Sequence, residues 1–181
     1  MKSLSVTLLL CALLLGGCTS ITGSAGYGTR TDYAIERDTE IARTLWDRIR
    51  DDEALDGSHI NVDVHNGFVL LTGQVGDERL RTRADELARS TPDVRRVRNA
   101  LTLGPNTPTT QRLHDTWITA QARARLATSE RIDSNRVRML TEDGVLYLMG
   151  RVSPGEADDV VNLVSGARGV ARIVKVFEYL D

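Results

Sequence analysis

Two stretches of the chain repeat one pattern of apolar and polar positions. Apolar residues every fourth position, Ile41, Leu45 and Ile49 in the first stretch and Ile118, Ala122 and Leu126 in the second, predict an amphipathic helix at the head of each. Period-two alternation follows over Ile60-Val62-Val64 and over Val137-Met139, and predicts a half-buried strand. Asn66-Gly67 and Asp143-Gly144 then read as two-residue hairpin turns, since both central residues of a type I′ turn need positive φ. Return strands run from Phe68 to Val75 and from Val145 to Val152. A second helix covers about Glu78 to Arg89, or Gly155 to Ser165, and a last strand carries Val94-Val97 to Leu103, or Val170-Ile173 to Tyr179. The predicted order in each stretch is α-β-β-α-β.

The two stretches superpose. Gly67 on Gly144 and Gly73 on Gly150 give an offset of 77, which also pairs Asp38 with Asp115, Ile41 with Ile118, Leu55 with Ile132 and Val75 with Val152. After the loss of one residue near Asp77 the offset is 76, pairing Ala84 with Val160, Leu87 with Leu163, Val94 with Val170 and Leu101 with Phe177. Between the copies, Gly104-Pro105-Asn106-Thr107-Pro108 ends any strand or helix, because two prolines fall within four residues. Ahead of them, Thr19 to about Tyr33 is Gly-, Ser- and Thr-rich without apolar periodicity and reads as a flexible tether. The expected organisation is a tether over 18–36, a first module over 37–104, a linker over 105–111 and a second module over 112–181.

At the N-terminus Lys2 precedes an apolar run from Leu4 to Leu15 broken only by Ser5 and Thr7. The run is shorter than the about 20 residues that span a bilayer and ends in small residues, so residues 1–17 read as a secretory signal. Leu15-Gly16-Gly17-Cys18 resembles the bacterial lipobox, whose cysteine is diacylated, exposed by cleavage and N-acylated. Cys18 is the expected site of lipid (palmitate) attachment; Cys11 follows Leu10, where a small residue is required. No thiol then remains for disulfides, metals or catalysis. Several acyl chains make attachment stable. By resemblance, Thr19 after the cysteine, rather than the aspartate that retains lipoproteins in the inner membrane, implies sorting to the outer membrane. At 27% charged and 41% hydrophobic residues the bulk of the chain folds in water, and a net charge of -2 argues against nucleic acid as the main partner.

The segments Gly67-Phe68-Val69-Leu70-Leu71-Thr72-Gly73, Gly144-Val145-Leu146-Tyr147-Leu148-Met149-Gly150 and Gly169-Val170-Ala171-Arg172-Ile173 resemble the BON domain family. That resemblance implies an α+β fold of two tandem BON modules, each with a three-stranded mixed sheet and two helices on one face. With the lipobox in front and Asp115-Thr116-Trp117-Ile118-Thr119 in the second module, nearly the whole mature chain is similar to the dual-BON lipoproteins of the Gram-negative outer membrane. Such a protein is expected on the periplasmic face, binding anionic phospholipids such as phosphatidylglycerol and cardiolipin and supporting envelope integrity at division sites. Pro92-Asp93 departs from the pattern, standing where glycine is usual before the last strand.

No cofactor is implied, and G-x-S-x-G, H-E-x-x-H and Walker patterns are absent, so an enzyme is not expected. His59 and His65 flank one strand and with Asp63 form an undiagnostic metal spacing, for which solvated strand ends are the better account. The informative contrast lies between the two leading helices. Leu113 replaces Glu36, Trp117 replaces Glu40, Ala124 replaces Asp47 and Thr128 replaces Asp51, while Arg48 is retained as Arg125. From Arg37 to Asp52 four arginines face five acids; from Arg112 to Ala127 three arginines face Asp115 alone. A Trp among small and apolar residues flanked by arginines suits a membrane interface. Arg112, Leu113, Trp117, Ala120, Gln121, Ala124 and Arg125 are the candidate phospholipid-binding residues. Two rival expectations stand beside this one. Leu113 and Trp117 would pack on the first module, with Trp46 the more natural interdomain residue, or the chain would be a protein–protein adaptor of an envelope or division assembly without lipid specificity.

Overall fold

The computed structural model describes residues 30–180; the signal segment and Cys18 lie outside the described residues. The first module contains α1 (Asp32–Arg50), β1 (His59–His65), β2 (Phe68–Val75), α2 (Glu78–Arg89), β3 (Arg96–Asn99) and β4 (Thr102–Leu103). The second contains α3 (Thr109–Ala127), β5 (Val137–Glu142), β6 (Val145–Val152), α4 (Pro154–Val164) and β7 (Arg172–Tyr179). Helix α1 takes in residues 32–36, ahead of the expected module boundary, because the Thr31 hydroxyl accepts the Ala34 amide at 3.2 Å and caps it.

Each module is a mixed sheet. β2 pairs antiparallel with β1 and parallel with β3 and β4, and β6 pairs antiparallel with β5 and parallel with β7. The last strand of the first module, expected to be continuous, breaks at Ala100-Leu101. Asn99 turns the chain there, its side-chain amide donating to the Arg81 carbonyl and its oxygen accepting the Leu101 amide. One face of each sheet carries both helices. Ile41 and Leu45 of α1 and Ala84, Leu87 and Ala88 of α2 pack on Ile60, Val64, Val69, Leu71 and Val75. In the second module Ala122 and Leu126 of α3 and Ala157, Val160 and Val164 of α4 pack on Met139, Leu146, Leu148 and Val152.

The hairpin turns have positive φ at both central residues, 51° and 71° at Asn66-Gly67 and 47° and 73° at Asp143-Gly144. A buried carboxylate from the leading helix closes each turn. Asp38 accepts the amides of Asn66 at 2.7 Å and Gly67 at 2.8 Å, and Asp115 accepts those of Asp143 at 2.8 Å and Gly144 at 2.9 Å. Both aspartates, counted with the surface charges in the sequence, are in fact buried. Asp93 itself takes the left-handed conformation, φ 64°, that Gly169 takes at 89° in the second module.

The other faces of the two sheets dock on each other through Leu70 of the first module and Tyr147, Met149 and Val176 of the second, with Phe68, Leu140, Val145 and Val174 around them. At one end Glu142 is buried and accepts Gln74 Nε2 at 2.7 Å and Asn61 Nδ2 at 3.0 Å, while the linker's Thr107 amide donates to Gln74 Oε1. Asp63 pairs with Arg138, and Glu178 with Arg95. Sheet faces, rather than helices, therefore join the modules. Trp46 is 52% exposed and takes no part in this docking cluster, contrary to expectation.

His65 is not a solvated strand end. It is buried at the close of β1, and its Nε2 has no hydrogen-bond partner among the described residues. Burial, reinforced by Arg30, Arg138 and Arg151 and opposed by Asp38, pushes its pKa down to about 4. Between pH 6.5 and 4 the unfolded chain binds a proton at this residue that the folded protein refuses. Stability should fall across that window by roughly 1.4 kcal/mol per pH unit, to a total of about 3 kcal/mol. Urea unfolding at pH 6.5, 5.5 and 5 should show this slope in the wild type and a shallower one in His65→Phe.

Candidate membrane-binding site

Helix α3 buries Asp115, Ile118, Ala122 and Leu126 and turns another face to solvent. At 100° per residue, Leu113, Gln121 and Ala124 lie within about 40° of Trp117 around the axis. Leu113 is 66% exposed and Trp117 49%. Arg112, Ala120, Ala124 and Arg125 are also exposed, and Gln121 is half-buried. The His114 ring stacks on the Trp117 indole, 5.8 Å between centroids and 25° between planes. The two aromatic rings thus form one raised plate. With Asp115 turned inward, no acid of α3 faces solvent, while Arg112, Arg123 and Arg125 do.

A second element flanks this face. The loop from Ser165 to Ala171, between α4 and β7, is held to the helix where Gln121 Nε2 donates to the Arg168 carbonyl at 3.2 Å. Gly169 backs onto the same helix: a Cβ there would meet His114 Cε1 at 2.9 Å. Arg168 is exposed and has no ion pair among the described residues. The loop was absent from the sequence-derived site. Its signal was available in the repeat, where Pro92 and Asp93 become Arg168 and Gly169 at an offset of 76.

The first module shows the opposite character at the same positions. Glu40, in the place of Trp117, pairs with Arg43 at 2.6 Å, and that hydrogen bond holds its carboxyl below the ordinary range. Asp47, in the place of Ala124, pairs with Arg43 and Arg50. Arg37 and Asp93 bridge helix and loop where His114 and Gly169 meet in the second module.

The arginine common to both helices has two different roles. Arg48 ties α1 to the end of α2, donating through Nη1 to the Leu87 carbonyl and Thr91 Oγ1 and through Nη2 to Ser90 Oγ, each at 2.9 Å. Arg125 makes no side-chain hydrogen bond or ion pair among the described residues, and it faces solvent. Arg48→Ala should therefore cost about 2 kcal/mol of stability by removing the charged hydrogen bonds that tie α1 to the end of α2, although the Thr91 hydroxyl still donates to the Leu87 carbonyl, while Arg125→Ala should stay within roughly 0.5 kcal/mol of the wild type. Denaturant titration of the two variants checks the contrast.

Among the described residues no helix is long and apolar enough to cross a membrane, and no group of three His, Cys, Asp or Glu residues is arranged to hold a metal ion. The fold and site define a tandem α+β protein whose candidate site is a helix face with a flanking loop. The chain belongs to the BON domain family, which matches residues 37–105 and 114–181. It is 29% identical over 152 residues to the outer membrane lipoprotein DolP of Haemophilus influenzae, covering 84% of this chain and 72% of that protein. It is 28% identical to a 21 kDa hemolysin of Actinobacillus pleuropneumoniae, over 85% of this chain and 77% of that one. Among solved structures it is similar to CdsD, a structural protein of the type III secretion system of Chlamydia trachomatis. There the TM-score is 0.31 at 14% identity, covering 79% of this chain and 63% of CdsD.

Proposed function

We propose that this protein is a lipoprotein anchored through Cys18 in the outer membrane, facing the periplasm, whose second module binds anionic phospholipid through Arg112, Leu113, Trp117, Ala120, Gln121, Ala124 and Arg125. In this reading residues 1–17 are removed as the signal, and the binding face directs the anchored protein to membrane rich in phosphatidylglycerol or cardiolipin, division sites included, where it supports envelope integrity. The DolP relative's name, an outer membrane lipoprotein, supports the anchor.

The observation that carries the lipid reading is the exposure of Leu113 and Trp117 on a helix without an exposed acid, at positions where the sister helix carries Glu36 and Glu40. An indole is favoured at headgroup depth, and each arginine near an anionic surface contributes about 1 kcal/mol. A water-facing helix gains nothing from an exposed Trp and Leu, whereas an interfacial helix buries them. Packing on the first module is not the alternative, since the modules meet through their sheets.

Trp117→Glu should abolish binding to phosphatidylglycerol micelles and leave thermal unfolding unchanged, because the side chain contributes to neither core. Micelle titration followed by amide chemical shifts reads this directly. Retained binding by the variant refutes the assignment.

A further inference from the structure

The second module has released an arginine that the first module uses to hold itself together. We propose that Arg125 is a ligand of the phospholipid phosphate, and that the residues at 166 and 167 make it available. This proposal rests on the lipid reading above and identifies the residue that meets the charged headgroup.

The two modules are controls for each other. Arg48 and Arg125 correspond at an offset of 77, and Ser90 and Thr91 correspond to Gly166 and Ala167 at 76. In the first module the two hydroxyls, with the Leu87 carbonyl, occupy the guanidinium of Arg48 completely enough to leave it half-buried. In the second module neither residue offers a side-chain acceptor. The guanidinium of Arg125 instead lies across Gly166, with Nη1 2.5 Å and Cζ 2.8 Å from where a Cβ would stand. Any side chain at 166 would displace it. The backbone of Gly166 is not in the left-handed region, so no turn demands glycine here, and the guanidinium occupies the space that a side chain would take.

The surroundings fit a phosphate. Arg125 lies on the flank of α3 that faces the loop, where Gln121 holds the carbonyl of the exposed Arg168. No acid of α3 faces solvent to compete. Trp117 stands eight residues earlier and about 80° away around the axis, so on a helix lying in the interface with its indole at headgroup depth Arg125 sits on the flank, toward the charged layer. A guanidinium presents two parallel N–H groups that match two phosphate oxygens, which an ammonium does not.

The test restores the first module's residues to the second. Residues 30–180 contain both cores and the docked sheets, so a chain starting at residue 19 carries the whole described fold. Its partition onto vesicles of phosphatidylglycerol in phosphatidylcholine would be measured by sedimentation and by Trp emission. Gly166→Ser with Ala167→Thr should recapture Arg125 and weaken binding about fivefold, the loss expected of one basic contact. Arg125→Ala should weaken it equally, and the triple variant no further, since all three changes remove one contact. Arg125→Lys should recover only part of the affinity.

Wild-type affinity in the recapturing variant, with Trp117→Glu still inactive, overturns the proposal and leaves the lipid reading standing. Binding that survives Trp117→Glu removes the lipid reading itself. Full affinity in Arg125→Lys also overturns the proposal, because charge alone would then suffice. Inorganic phosphate at the same phosphate concentration should leave the Arg125 Nε–H resonance in place. A saturating shift there would assign the site to a soluble anion and overturn the headgroup assignment.

Discussion

Each module turns on one buried carboxylate. Asp38 and Asp115 receive both amides of a hairpin turn from a helix 28 residues or so earlier in the chain. The contact fixes two things at once. It satisfies two amides whose burial without a partner would cost roughly 1–3 kcal/mol each, and it sets the rotation of the helix about its own axis. A residue two positions after the aspartate lies about 200° around the helix. Glu40 and Trp117 occupy that position, so each must face away from its own sheet, whatever its side chain. The exposure of Trp117 follows from the burial of Asp115.

The second determinant is how the modules meet. Because the helix-free faces of both sheets are apolar at Leu70, Tyr147 and Met149, the modules bury those faces in each other and leave all four helices outside. The result has four layers, helix, sheet, sheet, helix. Apolar contact alone would tolerate sliding of one flat face over the other. Glu142 opposes this, since its carboxylate is buried and finds its acceptor duties met by Gln74 and Asn61 in one relative position of the sheets. Buried polar groups are costly unless satisfied, so such a network selects an arrangement more than it strengthens one. Thr107 extends the network into the linker by donating to Gln74, which makes the connection between modules part of the interface.

Much of this was legible in the chain. The four-residue and two-residue periods found the helices and strands, and Asn66-Gly67 and Asp143-Gly144 found the turns, because these signals depend on local geometry alone. What escaped depends on partners distant in sequence. Asp38 and Asp115 look like surface acids until the turn they close is placed beside them. His65 looks like a polar strand end until the second sheet covers it. One signal of that covering was present. Val69-Leu70-Leu71 and Leu146-Tyr147-Leu148-Met149 are apolar without alternation, which in a strand means that both faces are buried. Trp46 lies about a quarter turn off the core face of its helix, and that offset does not say which surface a second module will choose. The loop at Arg168 escaped for another reason. Loops carry no periodicity, and only comparison with Pro92-Asp93 marks the change of charge.

The layered arrangement also explains how one chain can carry an acidic and a basic helix without the two cancelling. Helix α1 and helix α3 lie on opposite outer layers, and three layer spacings of about 10 Å each put roughly 30 Å between them. At physiological salt charges are screened over about 8 Å, so the acids Glu36, Glu40 and Asp47 do not weaken the field around Arg125 and Arg168. They act locally, through pairs such as Glu40 with Arg43. None of these residues, nor Leu113, Trp117 and Ala124 opposite them in the repeat, contributes to either core. The two helix faces were therefore free to diverge in charge while the carboxylate, the turn and the packing beneath them stayed the same.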